Sequence, residues 1–283
     1  MKDFYRLGKF SIIFPVSFTA FTGYFLYRPI IDINLIMVVA GVFLLGSAAS
    51  ALNQIQERDI DALMERTRKR PLAVRSMTRG AATLFFFITL LSGSVLLYIF
   101  GSGLSMSIGL FTIVWYNGLY TYLKRLTAFA AVPGALTGAM PPLIGWTAAG
   151  GQLTDYTALL LSFLLFIGQV PHFWLLILIY GNQYKKAGLP NLTNVFTLKQ
   201  ITRVTWAWIM ASFMAALLLA WFGIMQNETV RLVLLLITLS SMIVFTGLLA
   251  RKLTPYKIRI YFILLNSYFM LVMLLLVIDK IAA

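Results

Sequence analysis

The residues of this sequence best suited to chemistry lie in one stretch, Asn53-Gln-Ile-Gln-Glu57-Arg-Asp59-Ile-Asp61-Ala-Leu-Met-Glu65-Arg66-Thr-Arg68-Lys69-Arg70-Pro71. On a helix that advances about 100° per residue, Asn53, Glu57 and Asp61 each turn only about 40° from the last, so an amide oxygen and two carboxylates share one face. Asp59 points the other way and reads as a partner for Arg58 or for water. Oxygen donors so arranged suit Mg²⁺, a hard cation that keeps several waters and shares its remaining positions with substrate phosphates. Immediately downstream come Arg66, Arg68, Lys69 and Arg70, then Pro71, whose ring disfavours helix at Arg70 and turns the chain. Guanidinium forks grip phosphate oxygens bidentately, so a metal-binding carboxylate face beside such a cluster is what a diphosphate needs. The plainer alternative is a solvated helix end with ion pairs such as Asp61 with Arg66.

The elements that must position these groups are membrane helices. Of 283 residues, 60% are hydrophobic and 11% charged, about half the charged fraction of a soluble domain. Apolar runs close to or above the roughly 20 residues that cross a hydrocarbon core recur along the whole chain. The expected spans are Phe10–Tyr27, Ile33–Ile55, Ala81–Phe100, Leu104–Tyr122, Ala128–Ala148, Tyr156–Tyr180, Ile201–Ile224, Val230–Ala250 and Ile258–Ile278, nine helices in one membrane domain over residues 1–283. The first run lacks a small-residue cleavage signature and reads as a retained helix. Carboxylates at the edge of a bilayer are costly, which makes a functional role their default reading. With no cysteine, disulfides, Fe–S clusters and thiolate metal sites are excluded.

The net charge of +14 does not point to nucleic acid, because the basic residues sit in short connections between apolar runs. With the N-terminus inside, 20 of the 23 lysines and arginines face the cytoplasm, leaving Arg28, Arg231 and Lys280 outside. Lys2, Arg6 and Lys9, the seven cations from Arg58 to Arg79, and Lys124 with Arg125 all fall inside. A multi-pass protein of a bacterial inner membrane is expected, with an outward C-terminus and lipid around it.

His172, the single histidine, lies within an apolar helix. An imidazole there could ligate haem iron or orient a propionate, or be a buried polar residue satisfied by a neighbouring helix. Trp115, Tyr116, Tyr120, Trp146 and Trp174 read either as cavity wall or as interface belts.

These residues resemble a family. The stretch at Asn53 is similar to the N-x-x-x-[DE]-x-x-x-D signature of UbiA-type intramembrane prenyltransferases, and its continuation through Met64-Glu-Arg-Thr to Arg70-Pro-Leu72 resembles the protoheme IX farnesyltransferase (haem O synthase) branch. Further blocks carry the likeness: Tyr120-Thr-Tyr-Leu-Lys124-Arg125-Leu-Thr127, Pro133-Gly-Ala-Leu-Thr-Gly-Ala-Met-Pro141-Pro142-Leu-Ile-Gly-Trp146, Pro171-His172-Phe173-Trp174, and Tyr184-Lys-Lys-Ala187-Gly-Leu-Pro190. The resemblance implies an all-α bundle of nine transmembrane helices around a central cavity that opens to the cytoplasm. It implies Mg²⁺ as cofactor, a prenyl diphosphate of the farnesyl type as donor, and a hydrophobic acceptor, haem B, converted to haem O. By the same resemblance Asn53, Glu57 and Asp61 hold the metal, and Arg66, Arg70, Lys124, Arg125 and Tyr184 surround the diphosphate. Asp61, Arg70 and Lys124 carry the catalysis, and His172 faces the haem.

One position departs from the pattern. Where the family has an acidic residue before the tyrosine of D-Y-x-x-A-G-x-P, in a loop after the sixth span, this chain has Gln183 before Tyr184. Gln183 is expected as a second-site metal ligand, weaker because an amide oxygen carries no charge. Two classes of function therefore stand: a prenyl-transferring enzyme, and a degenerate relative that holds haem or an isoprenoid without turning it over. A transporter is disfavoured, since paired interrupted helices in corresponding halves are not apparent.

Overall fold

The computed structural model describes residues 2–250 and 254–283, whose regular elements are all helices, with no strand among them. The helices are α1 (Lys2–Leu7), α2 (Phe10–Tyr27), α3 (Ile33–Gln56), α4 (Arg58–Leu63), α5 (Arg79–Phe100), α6 (Gly103–Ile113), α7 (Thr121–Leu126), α8 (Ala131–Ala148), α9 (Tyr156–Lys186), α10 (Leu198–Trp221), α11 (Glu228–Ala250) and α12 (Pro255–Ala282). Hydroxyl and carboxylate side chains set many of their starts. Asp32 accepts from the Leu35 N–H at 2.9 Å, Thr78 caps α5, and Ser102–Ser105 and Thr197–Gln200 form reciprocal capping boxes. Thr254 caps α12 with Pro255 at its first turn.

Seven helices, α2, α3, α5, α9, α10, α11 and α12, are long and apolar enough to cross a membrane. The other two expected spans take other forms. Between α6 and α7 the helix widens into a π-helical stretch, Val114–Tyr120, so the expected Leu104–Tyr122 span is three joined pieces. Asn117 explains part of this: its amide leaves the helix to donate to the Ala49 carbonyl at 3.1 Å and to Gln56 Oε1 at 3.2 Å, pinning the stretch to α3. The other is α8, with 18 residues and Pro141-Pro142 inside it. It crosses α2 where glycines remove side chains: a Cβ on Gly145 would lie 1.9 Å from the Ala20 carbonyl oxygen, and one on Gly23 2.1 Å from that of Pro142. Small residues permit this backbone approach, which in lipid replaces the hydrophobic effect as the packing force.

A third correction concerns α9. It continues through Lys186, so the segment expected as a loop after Tyr180 is the last two turns of a helix. Exposed apolar side chains such as Leu84, Phe87, Leu91 and Val95 on α5 face outward, as a lipid-facing surface requires. The main buried cluster joins α9, α10, α11 and α12, with Phe213, Phe245 and Tyr268 edge to face at its centre. On the other side of the bundle α2, α3, α8, α9 and the α6–α7 segment enclose a cavity.

Candidate active site

The cavity has a volume of about 380 Å³, within the range of small-molecule sites. One end is charged and the rest mostly apolar. Along α3 its lining runs from Val42 and Leu45 to Asn53, about 16 Å of helix axis.

At the charged end α3 breaks: Glu57 has φ −112° and ψ 10°, and α4 follows. The Asp61 N–H still donates to the Glu57 carbonyl at 2.8 Å, so the common face survives the break. Asn53, Glu57 and Asp61 are 2%, 4% and 1% exposed and all line the cavity. Asp59 is outside it, paired with Arg58, as its place on the helix predicts. Asn53 Nδ2 donates to Glu57 Oε2 at 3.0 Å and to Thr121 Oγ1 at 3.3 Å, which leaves its carbonyl oxygen without a hydrogen bond among the described residues.

Each carboxylate already has a cation. Arg70 Nη1 donates to both oxygens of Asp61, at 2.8 and 2.6 Å, and the Lys124 ammonium pairs with Glu57. Asp61 thus pairs with Arg70, not with Arg66, because the turn after α4, held by Thr67 Oγ1 donating to the Asp61 carbonyl at 3.0 Å, returns Arg70 to it. Burial pushes the Asp61 carboxyl above its ordinary range against the opposing effect of Arg70. Burial likewise lowers Lys124, opposed by Glu57.

Arg66 lies over the Tyr180 ring, 5.5 Å from its centroid, and donates to the Tyr184 hydroxyl at 3.2 Å. The cavity is lined by four cations, Lys9, Arg66, Arg70 and Lys124, and two carboxylates, a surplus of two positive charges. Deeper in, Tyr116 stacks on Tyr120 at 5.6 Å, and Phe173 lies 5.9 Å beyond. Gly134 makes room for this wall, since a Cβ there would lie 2.5 Å from the Tyr120 ring.

Several expected site residues are elsewhere. Gln183 is not with the carboxylates: its Oε1 accepts the backbone N–H of Arg66 at 3.1 Å, and it does not line the cavity. It latches the end of α9 to the turn that carries the arginines. Arg125 is also turned away, donating to the Gln56 carbonyl at 3.0 Å and lying over Tyr122. Trp115 donates to the Pro133 carbonyl and Trp146 to Asp155, and Trp174 packs on Trp208, so these three do not line the cavity. Tyr184 and His172 do line it.

Lys9 is the cation that the sequence reading assigned to topology alone. Its backbone is left-handed, φ 49° and ψ 45°, at the bend between α1 and α2, and its side chain reaches the cavity. Burial and the neighbouring Arg70 and Lys124 charges hold its ammonium well below its ordinary value. Gln169, a polar residue within α9, also lines the cavity. Its signal in the sequence was an amide within the apolar middle of a membrane helix, three residues before His172.

Among the described residues no three acidic or histidine side chains come together as a complete metal cage. Two buried carboxylates and the uncommitted Asn53 oxygen nevertheless fit Mg²⁺, which binds through one or two carboxylates and takes phosphate oxygens for the rest.

Residues 16–274 match the UbiA prenyltransferase family. The chain is 34% identical to the protoheme IX farnesyltransferase of Oleidesulfovibrio alaskensis over 274 residues, 97% of this chain and 95% of that one. Among solved structures it is similar to a digeranylgeranylglyceryl phosphate synthase, with TM-score 0.79 and 17% identity over 100% of this chain and 99% of that one. It is also similar to a UbiA homolog from Archaeoglobus fulgidus bound to DMAPP and Mg²⁺, with TM-score 0.73 and 13% identity over 97% of this chain and 99% of that one.

Proposed function

Because this chain belongs to the UbiA prenyltransferase family and is a membrane prenyltransferase of the protoheme IX farnesyltransferase type, we propose that it transfers a farnesyl group from farnesyl diphosphate to a vinyl carbon of haem B, giving haem O. The observation that carries the reading is the cavity's polarity: a mouth with a surplus of two positive charges, continuous with an apolar, aromatic interior. The diphosphate belongs at the mouth and the prenyl chain inside. The roughly 16 Å of lining along α3 is comparable with an extended farnesyl chain.

Arg66, Arg70, Lys124 and Lys9 hold the phosphate oxygens. As the allylic C–O bond breaks, the electron pair leaves with the diphosphate, and these cations stabilise the growing negative charge. Asn53, Glu57 and Asp61 hold a divalent metal, Mg²⁺, which when bound supplies Lewis-acid neutralisation of the same leaving group. Tyr116, Tyr120 and Phe173 present ring faces to the allylic cation and keep water away from it. The vinyl carbon attacks, and water adds to the resulting cation on the porphyrin side with loss of one proton.

Gln183 supports catalysis over a degenerate carrier. Its amide holds the arginine-bearing turn through the Arg66 N–H, so its neutrality removes no ligand from Asn53, Glu57 and Asp61. The whole chain acts as one domain in a bacterial inner membrane, N-terminus in the cytoplasm, so the charged mouth meets the soluble donor there.

The test is donor selectivity. Purified protein supplied with haem B should release pyrophosphate faster from farnesyl diphosphate than from the five-, ten- or twenty-carbon donors, and only with a divalent cation. Equal rates with all four would refute the chain-length assignment, and no release from any would refute catalysis.

A further inference from the structure

The π-helical stretch ends at Thr121, a fully buried residue whose side chain reaches the charged mouth from behind. The Thr121 N–H donates to the Tyr116 carbonyl, five residues back, which is the π pattern. In an α-helix a threonine hydroxyl bonds the carbonyl three or four residues back. Here the carbonyl four back, that of Asn117, accepts Gln56 Nε2 of α3 at 3.1 Å. The Thr121 hydroxyl turns instead to Tyr116 and donates to its carbonyl at 2.9 Å. Its single hydrogen is thereby spent, and its oxygen has only a lone pair left to offer.

That lone pair meets Asn53, whose Nδ2 lies 3.3 Å from Thr121 Oγ1. The other hydrogen of the same nitrogen goes to Glu57 Oε2 at 3.0 Å. A carboxylate paired with a lysine, as Glu57 is with Lys124, only accepts, so the reversed amide would press oxygen against oxygen. Both hydrogens of Nδ2 are thus held, which fixes the amide plane and leaves Oδ1 as the free atom. It is not sealed inside the protein. Gln54 Oε1 and Asn117 Oδ1 nearby are buried with no partner, whereas Asn53 Oδ1 keeps access to the cavity that Asn53 lines.

We propose that Thr121 is a positioning residue for the divalent-ion site: held by the π-helical turn, its hydroxyl takes one Asn53 amide hydrogen and keeps Asn53 Oδ1 facing the ion. The inference rests on Asn53 as a ligand to Mg²⁺. Of the two restraints on the amide, the bond to Glu57 is the one disturbed in use, since Glu57 must turn from Lys124 to the ion. The bond to Thr121 joins two neutral, buried groups, neither of which changes partner. Outer partners of this kind hold a ligand in its binding orientation, and losing one typically costs about 10–100-fold in metal affinity.

The experiment titrates full-length protein in lipid nanodiscs with Mn²⁺ in the presence of farnesyl thiodiphosphate, counting bound ion by electron paramagnetic resonance. Thr121→Val keeps the branched shape but removes the hydroxyl, and should weaken Mn²⁺ binding by about 10–100-fold, while Thr121→Ser should stay within about threefold of wild type. Asn53→Ala supplies the decisive background. Once the amide is gone, adding Thr121→Val should cost less than about a further twofold. Thiodiphosphate affinity in chelator without metal, which the lysines and arginines set, should be unchanged and certifies that the variants are folded. Should Thr121→Val fail that check, Thr121→Ala takes its place in the same cycle with the same losses expected. An equal cost of removing the hydroxyl with and without Asn53 would overturn the proposal, because the hydroxyl would then act on the fold at large. Mn²⁺ binding as tight in a folded Thr121→Val as in wild type would also overturn it, while leaving the prenyl-transfer reading intact. Wild type that binds no Mn²⁺ even with thiodiphosphate would overturn the metal-site reading, and this inference with it.

Discussion

Without substrate, the mouth of the cavity neutralises itself: Arg70 is bound to both oxygens of Asp61, and Lys124 to Glu57. A divalent ion approaching alone must displace both cations from the carboxylates it needs. A diphosphate arriving alone must draw the same cations away and leave two buried carboxylates unpaired. When both arrive, the ion takes the carboxylates and the cations take the phosphate oxygens, so no charge is stranded. The size of this coupling follows from the geometry. Unit charges about 3 Å apart in a medium of effective dielectric near 20 attract by roughly 5 kcal/mol. The Arg70 and Asp61 side chains are 17% and 2% exposed, so most of that gross figure is offset by desolvation, leaving a net of about 1–3 kcal/mol. Metal and diphosphate should therefore strengthen one another by roughly 5–150-fold, reciprocally. Isothermal titration with Mg²⁺ and farnesyl thiodiphosphate, corrected for their association in solution, measures it directly, and electron paramagnetic resonance with Mn²⁺ counts the bound ion. Lys124→Gln supplies the sharper check, because it should strengthen metal binding in the absence of diphosphate while weakening diphosphate binding. Independent binding of the two ligands, or weaker metal binding in Lys124→Gln, would refute the exchange of partners.

Three further outcomes follow from the same geometry. Lys9 and Lys124 have lowered ammonium values in the free protein, and a bound diphosphate raises them. Thiodiphosphate affinity should be full below the free-protein values and fall as pH rises from these toward the bound ones, and Lys9→Arg should remove the Lys9 share of that fall; an unchanged pH profile would place Lys9 outside the site. Gln183→Asp should leave Mg²⁺ affinity within about twofold and loosen the Arg66 turn, because the shorter side chain no longer reaches the N–H it now accepts from; a tenfold gain in Mg²⁺ affinity would return position 183 to the metal site. Cysteines at Ser76 and Gln152, both exposed, should label from opposite faces of the membrane, and labelling from one face would put the charged mouth in the wrong compartment.

Much of this was legible in the chain itself, for physical reasons. Apolar runs of about 20 residues admit few structures in lipid, so α2 starts and ends where the composition changes, at Phe10 and Tyr27. The spacing of Asn53, Glu57 and Asp61 predicts one face, and the preserved hydrogen bond across the break at Glu57 keeps it. Features decided by tertiary bonds were not legible. The π-helical stretch depends on Asn117 reaching α3, which no local propensity announces. Pairing of Asp61 with Arg70 in place of Arg66 depends on the turn after α4 that Thr67 holds. Likeness to a motif placed Gln183 at the right position in the chain but could not say which way its amide points. Lys9 was hidden because the positive-inside pattern already explained a cation there, and the left-handed φ of the bend falls on the lysine itself and not on the neighbouring Gly8.

The most direct test of the central claim is the mass of the porphyrin product. Purified wild type incubated with farnesyl diphosphate, Mg²⁺ and haem B should yield a haem heavier by one farnesyl group and one hydroxyl, with one pyrophosphate released per product. Asp59→Ala should retain most of this yield, since Asp59 is outside the cavity, and Asp61→Ala should lose it by about a hundredfold or more. Unmodified haem from the wild type, or equal losses in the two variants, would contradict the assignment of this cavity as the site of prenyl transfer.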